Sequence, residues 1–148
     1  MPIEVSEGAA HASGTNVNAA YTIPEARVCG YGVSSTASNP VDRVSVTGVA
    51  RIKGVTTRPI APGKTHNVCV GGVREVDTDG SGPVARGDRL TVNATPGPVE
   101  GCVYSLATAP LPPGTTAHLV GIAEDPAPAA VTRIRVRLAI GATLTRAS

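Results

Sequence analysis

The sequence predicts a mostly β fold: a small barrel or sandwich-like β domain with an extended N-terminal arm. Three observations lead to this prediction. Short segments rich in valine and isoleucine recur along the chain and are bounded by Gly, Pro or Asp, as short strands are. Helical periodicity is almost absent. The 13 prolines and 17 glycines are scattered through the 148 residues, so there is little room for more than a short helix.

The N-terminal part of the chain differs in composition from the rest. Residues 1–40 are rich in Ala, Ser, Thr, Asn and Gly, and their apolar residues show only weak periodicity. We interpret them as an extended arm with one or two short strands, of which residues 26–33 are the better candidate. Such a segment can be disordered alone and become ordered on a partner.

Residues 41–148 are predicted to form the β domain. The candidate strands, in chain order, lie within residues 41–54, 67–77, 88–94, 97–106, 117–125 and 132–140. Two adjacent glycines, Gly71 and Gly72, suggest a bulge or bend. Three strands follow stretches in which a proline precedes Gly63, Gly87 or Gly114. Because proline fixes φ and glycine accepts positive φ, each stretch is predicted to be a turn that leads into a strand.

The composition restricts both the core and the kinds of partner. The chain has no Phe, no Trp and only three Tyr, so its core must be built from Val, Ala, Ile and Leu. We therefore expect buried surface between subunits to add to its stability, and a monomer with a modest core is the alternative. The net charge of +2 comes without a dense basic tract or an aromatic stacking platform, which argues against nucleic-acid binding.

The sequence also argues against membrane insertion and secretion. It contains no run of about 18 apolar residues, so no membrane span is expected. The first residues, MPIEVSEGAAHASG, include acids and lack an apolar segment, so no secretory signal is expected either.

No motif points to catalysis, to a bound metal or to a cofactor, and we predict that the protein is not an enzyme. The three cysteines form no CxxC pair, so we expect buried thiols, with a reactive or metal-binding thiol as the alternative. None of the three histidines has a second ligand at a metal-like spacing. Residues 77–82, DTDGSG, resemble the start of a calcium loop; we interpret them as a hairpin turn, with an ion site as the alternative.

The last predicted strand carries three arginines at alternate positions. Arg133, Arg135 and Arg137 alternate with apolar residues, so one face of the strand is apolar and the other carries three guanidinium groups. Because arginine pairs bidentately with carboxylates, these residues are candidates for contact with a neighbouring subunit or another partner. The alternative is a solvated outer face that keeps an edge strand from aggregating.

Three further residues are candidates for an interface. Tyr31 lies in the segment RVCGYGV, and tyrosine is favoured in interfaces; ordinary packing is the alternative. Ile3 and Val5 are large apolar residues near the start of the predicted arm.

Residues from about 59 to 140 resemble a known family. The similar features are the hairpin stretch PVARGDRLTV and the succession of a strand, VGIAED, a small-residue linker and the closing strand IRVRL. The residues that carry the similarity are Gly63, Gly87, Asp88, Leu90, Val92, Gly121, Ile122, Ala123, Glu124 and the strand from Ile134 to Leu138. In these features the chain resembles the capsid decoration, or cement, proteins of tailed bacteriophages.

The resemblance implies a structural protein of the virion, made in the cytoplasm of the bacterial host. Proteins of this family commonly bind the outer surface of the capsid as homotrimers, at or near three-fold positions. They tie neighbouring subunits of the major capsid protein together and so stabilise the mature head. They combine a compact β domain with an arm that becomes ordered on the shell, and residues 1–40 fit such an arm in composition.

Two alternatives of another class stay open at this point: a β domain of a phage tail or baseplate, and a carbohydrate-binding β module. The absence of Trp and the scarcity of Tyr argue against sugar binding, because ring stacking on sugars needs exposed aromatic side chains.

Overall fold

The computed structural model describes residues 10–147, and this part of the chain is mostly β, as predicted. The strands, in chain order, are β1 (Ala10–Asn16), β2 (Val28–Tyr31), β3 (Pro40–Arg43), β4 (Ile52–Thr56), β5 (Thr65–Gly71), β6 (Val73–Asp77), β7 (Arg89–Val92), β8 (Val103–Ser105), β9 (Thr116–Ala123), β10 (Arg133–Leu138) and β11 (Thr143–Thr145). A single helical turn, α1 (Val44–Thr47), precedes a 3₁₀ turn at Val49–Arg51. Neither of these short helical segments of residues 10–147 has the length or apolar character to cross a membrane.

The first five strands close into a barrel in the order β1-β3-β2-β4-β5, and β5 pairs back with β1. The strands β1 and β3 run parallel, and the other neighbours run antiparallel. The barrel interior is narrow. A Cβ placed on Gly14 of β1 would lie 2.8 Å from a methyl group of Val68 and 2.9 Å from one of Val41, so only glycine fits between these two residues.

Two barrel strands lie within the segment that the composition predicts as an arm. The strand β2 falls inside residues 26–33, the better strand candidate of that segment, and β1 precedes it. Residues 10–40 therefore contribute β1 and β2 to the barrel, while the division of the chain at residue 40 into an arm and a domain stays a prediction.

The remaining strands form a second, antiparallel sheet in the order β6-β10-β9-β7-β8, and β11 pairs with another part of β9. The chain passes from the barrel into this sheet where β5 leads into β6. Gly72 at that point has a φ of +78°, which forms the bend that the glycine pair predicts.

The predicted strand at residues 41–54 is interrupted. It contains β3, the helical turn α1, the 3₁₀ turn and only then β4. Gly48 ends α1 with a φ of +84°, a conformation that a strand does not adopt. Val44, Val46 and Val49 therefore lie on helical turns and not on a strand whose side chains alternate between two faces.

The main hydrophobic core lies between the barrel and the second sheet. Val28 and Val55 of the barrel belong to the same buried cluster as Val76 and Val136 of the sheet. In residues 10–147 the buried apolar side chains are aliphatic or cysteine, as the composition predicts. All three cysteines are buried free thiols, which confirms that expectation. Burial raises the pKa of Cys29 to about 12, so its thiol stays protonated at neutral pH.

A buried ion pair joins the barrel to the second sheet. Glu100, in the loop between β7 and β8, is 2% exposed and accepts hydrogen bonds from Arg43 of β3 at 2.5 and 3.0 Å. The backbone N–H of Ser45 donates to its second oxygen at 2.9 Å. Burial alone would raise the pKa of Glu100, but the hydrogen bonds from Arg43 and Ser45 bring the pKa below its ordinary value. The guanidinium of Arg43 also lies over the Tyr21 ring, 3.8 Å from its centroid.

Arg27 makes a second link at the same junction. Its Nε donates to Asp77 Oδ2 at 3.2 Å, and one terminal nitrogen donates to the carbonyl oxygens of Pro98 at 3.0 Å and Glu100 at 3.2 Å. The residue just before β2 is thereby tied to the end of β6 and to the loop that carries Glu100. Arg27 and Arg43 together hold the second sheet in its orientation relative to the barrel.

Candidate functional site

The three arginines of the last predicted strand lie on one exposed face of β10, as their spacing predicts. Residues along β10 alternate strictly between exposed and buried, with all three arginines exposed and the apolar residues between them buried. β10 pairs with β6 on one side and β9 on the other, so it is an interior strand. The arginines therefore do not protect an open strand edge, while a solvated outer face stays the alternative.

Arg133 and Arg137 each pair with a carboxylate of their own chain. Arg133 Nε lies 2.9 Å from Asp77 Oδ1, and its guanidinium also approaches Glu25 at 3.6 Å. Arg137 donates to Glu124 Oε1 at 2.8 Å. The arginine face is thus a row of surface ion pairs, in which a partner's carboxylate would compete with the chain's own acids.

Arg135 holds Asp125 in a two-pronged ion pair. Its guanidinium donates to the two carboxylate oxygens at 2.7 and 3.0 Å, and its backbone N–H donates at 3.0 Å. These side-chain and backbone hydrogen bonds lower the pKa of Asp125 to about 2. The depressed pKa means that the pair contributes stability above the ordinary carboxyl pKa and loses it as the pH falls through about 2.

The Asp125 titration gives a direct check of this geometry. In the native protein, the side-chain carboxyl of Asp125 should titrate with a midpoint of about 2 when followed by NMR. Replacing Arg135 with glutamine should move that midpoint upwards, towards the ordinary value of 3.8, because the charged donor is lost. Replacing Arg133, which pairs with Asp77, is the control and should leave the midpoint in place. An unshifted Asp125 in the Arg135→Gln variant would show that the pair does not form.

Tyr31 lies in a second exposed surface, at the end of β2. Four of the six large apolar residues that are exposed in residues 10–147 belong to this region: Tyr31, Val33, Val46 and Val49. Val33 is 85% exposed and Val46 is 64% exposed. We call these four residues together with Arg51 the Tyr31 patch. Its members Tyr31, Val33, Val46 and Arg51 line one depression of about 370 Å³.

The Tyr31 patch depends on the close approach of α1 to β2. A Cβ on Gly30 would collide with the side chain of Thr47 and would lie 3.0 Å from the carbonyl oxygen of Arg51. Because glycine at this position has no Cβ, the helical turns can pack directly against β2. The turns in this way bring Val46 beside Tyr31.

Lys53 is a buried cation close to the Tyr31 patch. It is 6% exposed, and its ammonium donates to the carbonyl oxygen of Ser13 at 2.6 Å. Since β4, which carries Lys53, is not a neighbour of β1 in the barrel, this hydrogen bond links two non-adjacent strands. Its ammonium lies 5.7 Å from the centroid of the Tyr31 ring, and burial lowers the pKa of Lys53.

Arg51 carries the exposed charge of the Tyr31 patch. Asp42 lies in the same depression, but its carboxylate accepts from Asn18 at 3.0 Å and from the Arg43 backbone N–H at 2.7 Å. Arg51 takes part in none of the ion pairs found within residues 10–147. The patch therefore combines exposed valines with a tyrosine and an arginine, and the last two are residue types that dominate binding energy in interfaces.

Sequence reasoning identified Tyr31 but not the other members of the patch. The sequence predicts Val46 and Val49 to lie in a strand, where β-branched residues suggest burial, and Gly48 inside the run is the signal against this. The other two candidate interface residues, Ile3 and Val5, lie outside residues 10–147, the part that the structure describes.

The DTDGSG stretch bends the chain between β6 and β7, but these strands are not neighbours in the sheet, so the predicted hairpin turn is wrong. Each of its aspartates is already engaged. Asp77 pairs with Arg27 and Arg133, and Asp79 Oδ1 accepts from the backbone N–H and the hydroxyl of Ser81 at 2.9 and 2.6 Å. Among residues 10–147, no group of three or more His, Cys, Asp or Glu side chains is arranged to hold a metal ion.

Comparison with known proteins finds a matching family model and a similar solved fold. A family model described as phage cement protein matches residues 10–138. The fold is similar to that of the head fiber gp8.5 N base in bacteriophage phi29, known from a crystal structure: the TM-score is 0.56 at 12% sequence identity, over 88% of this chain and 94% of that chain. A search of curated proteins finds no match. At this identity the second similarity concerns the fold alone.

Proposed function

This chain belongs to the phage cement protein family, and from that premise we propose that it binds the outer surface of a phage capsid and holds neighbouring subunits of the major capsid protein together. In this proposal the protein is a homotrimer on the mature head, made in the cytoplasm of the bacterial host, and it catalyses no reaction. The observation that carries the proposal is the family match, which covers almost all of the described chain.

We assign the contact with the capsid to the Tyr31 patch. When a partner covers the exposed tyrosine and valines, their apolar surface is removed from water, and this favours binding. Arg51 favours a partner that presents a carboxylate within an apolar surface, because its guanidinium is exposed and forms no ion pair with residues 10–147. The proposed occupant of the patch is therefore an apolar, acid-bearing region of the major capsid protein.

The arginine face of β10 is proposed as a second contact, with the shell or with a neighbouring copy. Arg135 and Arg137 have 56% and 57% of their side chains exposed, so a partner's acids can reach them from the side away from Asp125 and Glu124. Contacts of this kind are individually weak. Repetition on a symmetric lattice turns weak contacts into strong attachment, and a protein that binds only the intact shell stabilises that shell.

Co-sedimentation tests the proposed function. The purified protein should sediment with expanded phage heads at saturable stoichiometry and should raise the temperature at which those heads release their DNA. The same protein with unexpanded proheads provides the comparison. Failure to bind any capsid lattice, under conditions where the protein is folded, would remove the proposal.

The arginine face makes a separate prediction. Replacing Arg133, Arg135 and Arg137 with serine should weaken capsid binding and reduce its dependence on salt, because the salt-screened attraction between these guanidinium groups and the partner's carboxylates is lost. Binding is measured by co-sedimentation at several salt concentrations. Since Arg133 also contacts Asp77 at the junction, the Arg135→Ser/Arg137→Ser variant controls for folding. Unchanged affinity and salt dependence in both variants would leave these arginines as a solvated surface.

A further inference from the structure

The strand β11 pairs with β9 along one edge, and its other edge pairs with no strand among residues 10–147. The Arg146 N–H, just past β11, donates to the Thr115 carbonyl on the β9 side at 3.0 Å. Because strand residues alternate in direction, the N–H and C=O groups of Thr143 and Thr145 point the opposite way. Both threonines are exposed, so this outer edge of β11 is a template for one more strand.

An apolar depression lies beside the outer edge of β11. It measures about 480 Å³, and its lining residues are Leu106, Pro110, Leu111, Leu144, Thr145 and Arg146. Leu144 lies opposite Ala117 of β9, and both pack in the hydrophobic cluster that contains Leu106. Leu111 and Leu144 are only half-buried, so part of the apolar surface of this cluster stays in contact with water. An apolar side chain of a partner would remove that surface from water, which favours binding.

Arg146 is the only charged residue that lines this depression. It takes part in none of the ion pairs found within residues 10–147, and one terminal nitrogen donates to the Leu111 carbonyl at 2.8 Å. That bond positions the guanidinium, whose other N–H groups can hold a carboxylate. Since Arg146 and Leu144 are two positions apart along the chain, their side chains lie on the same face. The charge of the depression therefore favours a partner that carries an acid.

We propose that the outer edge of β11 accepts an extended segment of another protein as an additional antiparallel strand, with an apolar side chain opposite Leu144 and a carboxylate opposite Arg146. In this arrangement the main-chain hydrogen bonds go to Thr143 and Thr145, since each exchanges N–H···O=C bonds with the residue opposite it. Side chains of directly opposite residues share a face, so the apolar one covers the depression and the carboxylate meets the guanidinium.

The register fixes the sequence that the partner must carry. In an antiparallel strand, the residue opposite Arg146 comes two positions before the residue opposite Leu144. The partner segment therefore reads acid, any residue, large apolar residue, in an extended conformation. Main-chain hydrogen bonds supply affinity in this mode of recognition, and the alternate side chains supply specificity.

Amide hydrogen exchange on the full chain tests the strand pairing. The probe is the capped peptide acetyl-Ser-Thr-Glu-Thr-Leu-Thr-Ser-amide, added at saturating concentration. Exchange at the Thr143 and Thr145 amides should become at least about fivefold slower, whereas Leu144, whose amide faces β9, is the internal reference and should keep its rate. No saturable binding, or unchanged exchange at both threonines, would overturn the proposal. Slow exchange at both threonines in the protein alone would also overturn it, because the edge would then be covered by the chain itself or by a second copy.

Backbone N-methylation of the peptide supplies a matched control. Methylating the nitrogen of the threonine after the leucine, which lies opposite Thr143, removes an N–H aimed at β11 and should weaken binding at least about tenfold. Methylating the leucine nitrogen, whose N–H points away from β11, should change the affinity by less than about twofold. Equal affinities for the two methylated peptides would contradict the strand pairing.

A peptide in which the glutamate and the next threonine are exchanged tests the register. Its carboxylate lies on the face away from Arg146, so binding should be at least about threefold weaker. NMR titration of the Leu144 and Arg146 amides measures the affinity, and equal affinities for the two peptides would overturn the register. No capsid takes part in these experiments, so their outcome is independent of the proposed function.

Discussion

Replacing Glu100 with glutamine is expected to lower the free energy of unfolding by about 3 kcal/mol. The native carboxylate is 2% exposed and is held by Arg43 and by the Ser45 backbone N–H. The glutamine amide carries no charge to neutralise the guanidinium of Arg43. Its NH₂ group would also point N–H donors at the donors of Arg43 or Ser45. Because Arg43 keeps 23% of its side chain exposed, water solvates part of its unpaired charge. The expected loss of stability is therefore at the lower end of the range for removing one partner of a buried ion pair. Chemical denaturation measures it.

An exposed ion pair supplies the matched control. Glu124→Gln breaks the pair with Arg137, whose side chain is 57% exposed, and should cost no more than about 1 kcal/mol. The Arg43→Gln/Glu100→Gln double variant should be more stable than the sum of the two single changes implies, because the first removal already leaves the other charge unpaired. Equal effects for Glu100→Gln and Glu124→Gln would contradict a buried junction.

The same pair makes stability depend on pH in the acid range. The pKa of Glu100 lies below its ordinary value in the folded protein, so the unfolded chain binds its proton at a higher pH. Its contribution is fully present above the ordinary glutamate pKa and is lost as the pH falls through the folded value. The Glu100→Gln variant should therefore lose less stability than the native protein between neutral and acid pH.

The Tyr31→Ser/Val46→Ser variant is expected to bind phage heads about a hundredfold more weakly, as two interface residues worth about 1–2 kcal/mol each would predict. Both side chains are about half or more exposed, at 49% and 64%, so their removal should leave the melting temperature nearly unchanged. Affinity is measured by co-sedimentation over a range of protein concentrations.

A residue outside the patch gives the control for this prediction. Val131 is 54% exposed and lies outside the Tyr31 patch, so Val131→Ser removes a comparable apolar side chain elsewhere on the molecule. Binding should then stay at the native level. If Val131→Ser weakens binding as much as the double variant, the contact does not lie at the Tyr31 patch.

The sequence predicted the fold class well because β-branched runs and turn glycines are local signals. The alternation in β10 and the bend at Gly72 both appear where the sequence places them. It did not identify β1 as a barrel strand, since AHASGTN has no large apolar residue to mark it. That strand is held by its neighbours, and the space between Val41 and Val68 requires the small residue at Gly14.

The candidate site was predictable only in part. The exposure of the three arginines follows from the strand period, whereas their partners do not. Glu124 and Asp125 follow β9 directly, and Asp77 ends β6, so only the strand order brings them next to β10. The Tyr31 patch likewise combines segments that meet only because the chain turns at Gly48 and packs closely at Gly30.

The closure of the barrel by β1 also has a consequence during synthesis. Thr15 of β1 bonds to Thr65 of β5, fifty residues later, so β1 cannot pair with β5 and close the barrel until that strand has left the ribosome. At an elongation rate of about 5–20 residues per second, that delay is roughly 3–10 s. An apolar strand left unpaired for that time would bind chaperones or associate with other chains. The strand β1 consists of small and polar residues, so its delayed pairing with β5 carries little risk of aggregation.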